Sequence, residues 1–122
     1  MSAQFVLRRL FVALSHHAYL HSEEKQLHAA IGEALTSEGI TFEREKTVGK
    51  NRYDFFVDGV VIEVKIDGSP ADSLRRSQRY LKDEGVSALL LVTTQRWAKN
   101  ARTDLVVCDK PMKILQIKRA FL

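Results

Sequence analysis

The chain has 122 residues, 45% of them hydrophobic, with 19 Lys and Arg against 15 Asp and Glu for a formal net charge of +4. That length holds one domain with one main core, the apolar content excludes intrinsic disorder, and a single cysteine, Cys108, excludes a disulfide scaffold or a Cys-rich zinc module. A basic excess of this size points only weakly to an anionic partner.

Residues 3–20 are apolar-rich but interrupted by Arg8 and Arg9. They contain no run long enough to span a bilayer, and they lack the charge order and cleavage site of a secretory signal. Val6, Leu10, Ala13, Leu14 and His17 fall on one helical face, flanked by Phe5 and Leu7. The spacing predicts an amphipathic helix packed on the domain or on a second subunit, with a membrane-surface helix as the alternative. The missing export signal and the lone cysteine predict a reducing, cytoplasmic location with no membrane partner. His16, His17 and His21 have no patterned Cys or carboxylate partners and read as surface or interface groups.

Ser22 reads as an N-cap with Glu23 and Glu24 in the first helical turn. Leu27, Ile31, Ala34 and Leu35 continue the apolar stripe to a stop at Gly39. Alternation from Ile40 to Val48 predicts a strand, Gly49 to Asn51 a turn, and residues 52–57 and 60–66 two strands joined by Asp58-Gly59, a strong hairpin signal. Ser69-Pro70 opens a helix running to Glu84. Residues 87–93 are an apolar run suited to a strand covered on both faces. Residues 105–108, with Cys108 as a small buried hydrophobe, and 113–117 read as short strands. No repeat or linker divides the chain. The predicted class is α/β, a single domain with a mixed central sheet flanked by helices and an extra N-terminal helix.

The hairpin concentrates chemistry. With a two-residue loop, Val57 pairs with Val60, which sets Asp54 opposite Glu63 and Arg52 opposite Lys65. Tyr53, Phe55, Val57, Val60, Ile62, Val64 and Ile66 then form an apolar face, and Asp54, Glu63 and Lys65 face the other way. Two carboxylates with Cβ atoms roughly 5 Å apart repel each other, and no fold requires them. A cation between them removes the repulsion, and hard oxygen ligands favour Mg²⁺ or Mn²⁺. The bland alternative is a solvent-facing strand in which Glu63 pairs with Lys65 or Arg52.

Flanking segments offer further groups. In the 71–84 helix, Leu74, Ser77, Gln78 and Leu81 read as the inward stripe, which aims the Gln78 amide at the sheet. It is either satisfied by backbone or in contact with the acidic site. In the earlier helix, Glu24, Leu27, His28 and Ile31 share a face, so Glu24 either complements the helix dipole or joins the carboxylates, with Glu23 competing for that role. Residues 23–45 carry six acidic and two basic groups. Residues 71–102 carry three acidic groups and seven basic ones: Arg75, Arg76, Arg79, Lys82, Arg96, Lys99 and Arg102. Such a run is a solvated helix face or a phosphate-binding surface, and Trp97 within it either stacks on a base or packs on the domain.

Residues 52–66, RYDFFVDGVVIEVKI, resemble the PD-(D/E)XK nuclease superfamily: Asp54 at the start of a hairpin, then Glu63-Val64-Lys65 on the next strand. The resemblance covers residues 22–94, including the upstream Ser22-Glu23-Glu24 helix and the downstream Gln78-Arg79-Tyr80 helix, and is nearest the small phage and archaeal nucleases and Holliday-junction resolvases. Tyr53 stands where the family name has Pro. The resemblance implies a restriction-endonuclease-like αβββαβ core and Mg²⁺ (or Mn²⁺) held by Asp54, Glu63, the Val64 carbonyl and Glu24. It further implies that Lys65 positions the attacking water, with Gln78 in support. The expected activity is metal-dependent endonucleolytic hydrolysis of DNA, selective for branched structures, by a homodimer. Lys46, Lys50, Arg52, Arg75, Arg76, Arg79, Lys82, Arg96 and Lys99 are the expected phosphate contacts. The alternative is a non-catalytic DNA-binding or interaction module on the same fold.

Overall fold

The computed structural model describes residues 2–102 and 104–120. Helix α1 spans Ala3–Ser15, a two-residue strand β1 spans Tyr19–Leu20, and helix α2 spans Glu24–Ser37. Strands β2 (Glu43–Val48), β3 (Asn51–Val57) and β4 (Val60–Lys65) follow, then helix α3 (Pro70–Leu81) and strand β5 (Ala88–Thr93). A 3₁₀ helix, η1 (Arg96–Asn100), leads to β6 (Leu105–Val107), β7 (Lys110–Gln116) and β8 (Arg119–Ala120). The main sheet has the order β2-β3-β4-β5-β7-β6, and β1 pairs with β8 in a small parallel sheet. Within the main sheet β4-β5 and β5-β7 are parallel and the other pairs antiparallel. This is the expected α/β architecture: a mixed sheet flanked by helices, with α2-β2-β3-β4-α3-β5 as its core.

The hydrophobic alternation of the central strands divides the interior in two. Val60, Ile62 and Val64 of β4 and Ala88, Leu90 and Val92 of β5 pack beneath α1 and α2. Val61, Leu89 and Leu91 face the opposite way, toward Tyr80 and Leu81 of α3. Burying each large apolar side chain contributes about 1.5–3 kcal/mol, so β5, buried at every residue, is the strand that both layers share.

Several boundaries differ from the sequence reading for identifiable reasons. Helix α1 ends at Ser15. His17 lies beyond it and meets the Glu38 carboxylate at 2.7 Å, while Tyr19 turns its hydroxyl back to the Leu14 carbonyl. Phe5 is exposed, whereas His21 is buried with Nδ1 3.0 Å from the Tyr19 carbonyl. The N-cap of α2 is Glu23 rather than Ser22, because the Ser22 N–H and hydroxyl both donate to Gln26 Oε1. The strand expected from Ile40 begins at Glu43, and Asn51 belongs to β3, paired with Val48. Helix α3 stops at Leu81, and Cys108 is exposed, not buried. Cys108 and Asp109 form the β6-β7 turn with φ of 54° and 61°, and the primed turn their positive φ builds projects outward.

The β3-β4 turn behaves as its sequence demands, with Asp58 at φ 47° and Gly59 at φ 85°. The Gly59 carbonyl accepts from the Ser87 N–H at 2.8 Å, which ties the turn to the start of β5. A Cβ on Gly59 would stand 3.0 Å from Ser87 Oγ. Gly59→Ala is therefore expected to cost about 1–2 kcal/mol, read from urea denaturation, through the left-handed backbone and this contact; an unchanged midpoint would contradict the turn assignment.

Candidate functional site

The hairpin register is the one the turn sets: Val57 pairs with Val60, Phe56 with Val61 and Phe55 with Ile62. The ladder stops there, short of the expected Asp54–Glu63 and Arg52–Lys65 pairs. On the other side of β3 the pairing with β2 also skips Asp54, and Glu45, which stands across from it, has φ 52°. The interruption turns Tyr53 away from Phe55. Contrary to the simple alternation, Tyr53 joins the α3-side core, with its ring edge-on to Tyr80 at 4.9 Å. Arg52 instead pairs with Glu45 at 2.9 Å.

Freed from the ladder, the Asp54 carboxylate accepts the Val64 N–H at 2.8 Å. It thereby sits beside β4, where Glu63 and Lys65 project toward α3 while the Val64 side chain is buried under α1 and α2. Helix α2 brings Glu24 and, one turn later, His28 to the same place. His28 Nε2 is 3.8 Å from Asp54 Oδ2. Glu24 Oε1 accepts from the Ile66 N–H at 3.4 Å and lies 4.0 Å from Lys65 Nζ. The Gln95 side chain donates to the Ile66 carbonyl, so the segment following Lys65 is held from both sides. Helix α3 contributes Arg76, whose guanidinium is 3.7 Å from Glu63 Oε1.

The electrostatics are dominated by burial. The Glu63 side chain is only 7% exposed, and its Oε2 is buried without a hydrogen-bond partner. Desolvation first, and the Asp54 charge second, push its carboxyl up to about 8. Asp54 is also raised by burial, against the opposing pull of the Val64 N–H and His28. Tyr80 is raised by burial and by the nearby Glu63 charge. The two carboxylates are thus held together with incomplete compensation.

A cleft of about 580 Å³ opens beside them, lined by Lys65, Asp67, Gly68, Asp72, Ser73, Arg75, Arg76 and Arg79. Three of the expected phosphate contacts therefore converge with Lys65. The others do not line it. Lys46 pairs with Glu43 at 2.9 Å, Lys50 sits at the tip of the β2-β3 turn, Lys82 caps the far end of α3, and Arg96 and Lys99 lie on η1.

Comparison of the chain with family models, curated proteins and solved structures gives no match. The site therefore stands on its own geometry. Among the described residues, no three His, Cys, Asp or Glu side chains are grouped to hold a metal ion. The donor set is the Asp54–Glu63 pair, with Glu24 turned to Lys65 and the Ile66 N–H. A pair suits Mg²⁺, which commonly takes one or two carboxylates together with waters and substrate phosphates, and the unpartnered buried Oε2 of Glu63 is an oxygen donor of the right kind.

Gln78 does not reach this site. It is exposed, as is Leu74, because α3 buries Ser73, Ser77, Tyr80 and Leu81 instead. That stripe is rotated from the expected one, and the small serines let the helix approach the sheet. Arg76, expected on the outer surface, occupies the inward position toward Glu63. His28 and Gln95 are the members that the sequence reading missed. The Glu24-x-x-x-His28 spacing, which places both on one helical face, was the available signal for His28; Gln95 had none.

The raised Glu63 carboxyl has a consequence for stability. Between pH 4.5 and about 8 the folded protein keeps a proton that the unfolded chain has released. This group's contribution to stability therefore falls as pH rises through that window. In thermal melts across it, Glu63→Gln is expected to weaken the pH dependence and to be more stable than wild type at the alkaline end. An unchanged pH slope would contradict the buried placement of Glu63.

Proposed function

We propose that this chain is a Mg²⁺-dependent endonuclease of the PD-(D/E)XK type acting on DNA. The observation that carries the reading is the pairing of buried Glu63, its carboxyl raised by burial and by Asp54, with half-buried Asp54, set beside Lys65 at a cleft lined by Arg75, Arg76 and Arg79. Two acidic groups that destabilise each other are costly in a fold that has no use for them. The adjoining cleft sets Lys65, Arg75, Arg76 and Arg79 against Asp67 and Asp72, with Arg75 paired to Asp72, and this basic excess suits the phosphates of a nucleic-acid strand. The order of elements, α2-β2-β3-β4-α3-β5, agrees with the fold of that superfamily.

In this reading the guanidinium groups of Arg75, Arg76 and Arg79 bind and orient phosphates along the cleft. Asp54 is fixed in place by the Val64 N–H, and Glu63 by burial under α3, so the two carboxyl groups are held in position before a cation or substrate arrives. When bound, Mg²⁺ (or Mn²⁺) supplies Lewis-acid polarisation of the phosphodiester and activation of water. Lys65 orients the water that attacks phosphorus, and its ammonium stabilises the charge that develops there as the bond to the leaving sugar oxygen breaks. Glu24 acts as a positioning residue, holding Lys65 Nζ and the Ile66 N–H.

A non-catalytic DNA-binding module is the second reading. It draws support from the Arg76–Glu63 approach and the lack of a third grouped acidic ligand among the described residues. The two separate in an assay of supercoiled, single-stranded and branched DNA with Mg²⁺. Cleavage by wild type is expected, with Glu63→Gln and Lys65→Ala each about 10²–10⁴-fold slower while still binding DNA in EDTA. Binding without cleavage by wild type would establish the second reading, and cleavage by the variants at the wild-type rate would overturn the residue roles.

A further inference from the structure

Helix α3 has a depression on each flank. The first is the basic cleft described above. The second is an apolar groove of about 370 Å³ between α3, η1 and the β6-β7 hairpin, walled by Leu74, Leu91, Trp97, Ala101, Leu105 and Met112. Ser73 lines both. Arg102, exposed, also lines the groove. Leu74 is 44% exposed at this flank. Trp97 packs partly against the core, and its Nε1–H is buried without an acceptor.

We propose that this groove seats an unpaired nucleobase of a DNA strand whose phosphates lie in the basic cleft. The proposal rests on the nuclease reading and names the substrate class for the same site: DNA that offers an unpaired base, as at a single strand, flap or junction. Charge complementarity fixes the occupant. A polyanion drawn to Arg75, Arg76 and Arg79 lies across α3 from the groove, with only Ser73 shared between the two walls, so a base turned from that backbone enters it. The walls suit the apolar π-face of a base, on which Trp97 can stack. Base stacking of this kind tolerates any sequence, so the groove selects for unpaired structure rather than for base identity.

Trp97 is the only tryptophan in the chain, so its fluorescence reports on the groove directly. The full chain is titrated in EDTA, which prevents metal-dependent cleavage, with oligothymidine and with an abasic strand of equal length and therefore equal phosphate number. Oligothymidine is expected to quench Trp97 and to bind about 10-fold tighter than the abasic strand. Ala101→Leu, which fills the groove without adding charge, is expected to abolish the preference and leave abasic-strand affinity unchanged, showing that the fold and the cleft are intact. Equal affinity for the two strands, or oligothymidine binding with no change in fluorescence, overturns the base seat and leaves the phosphate-binding cleft standing. Failure of both strands to bind overturns the cleft and the groove together. DNA cleavage with Mg²⁺ is scored separately, so a failed nuclease reading is told apart from a failed base seat.

Discussion

The constraint on which the site depends is the burial of the Glu63 carboxyl next to Asp54, which makes a second negative charge there costly. Asp54 and Glu63 come from adjacent strands of one hairpin; burial and the Asp54 charge raise the Glu63 carboxyl, while burial and the Glu24 charge raise Asp54. An apolar pair at these positions would make a more stable protein. The surrounding structure holds the arrangement in place. The β3 ladder is interrupted on both sides at Asp54, the Val64 N–H is diverted to the Asp54 side chain, and α3 lies over Glu63 through a stripe of small serines. Strain of this kind is typically retained where a ligand relieves it.

The position of the pair in the fold makes the neighbouring groups useful. Strand β4 is the point at which the antiparallel hairpin gives way to parallel strands, and Glu63 and Lys65 lie toward its C-terminal end. Two helices arrive there from opposite faces of the sheet. Helix α2 delivers Glu24 and His28 at its first two turns, and α3 delivers Arg76 and the arginines of the cleft. Acidic and basic groups thus meet at the C-terminal end of an interior strand, which a net charge of +4 on the whole chain does not reveal.

Much of this was legible in the sequence, for reasons that differ by element. The β3-β4 register followed from Asp58-Gly59, because a two-residue loop with positive φ at both positions leaves one pairing. The helices α1 and α2 and strand β5 followed from apolar spacing, since their buried faces are made of large hydrophobic residues. Helix α3 was harder. Its buried stripe includes Ser73 and Ser77, with the Ser77 hydroxyl bonded to the Ser73 carbonyl at 2.8 Å, so polarity gave no sign of which face turned inward. Gln78 and Arg76 were accordingly exchanged between the inner and outer faces. The end of the β3-β4 ladder was also hidden, because it depends on Glu45 adopting φ 52°, a conformation that no local residue type demanded. Cys108 was misplaced for a related reason: Val106 and Val107 suggested a buried strand, but β6 is a short sheet edge on which Val106 is largely exposed.

The central claim is that the Asp54–Glu63 pair is a divalent-cation site. It is tested most directly by titrating the protein with Mn²⁺ near pH 8 and following the free-ion signal by electron paramagnetic resonance. The account predicts that wild type removes Mn²⁺ from solution saturably and that the Asp54→Asn, Glu63→Gln double variant, folded by circular dichroism, does not. A wild-type protein that leaves the free-ion signal unchanged, or a double variant that binds Mn²⁺ as wild type does, would contradict it.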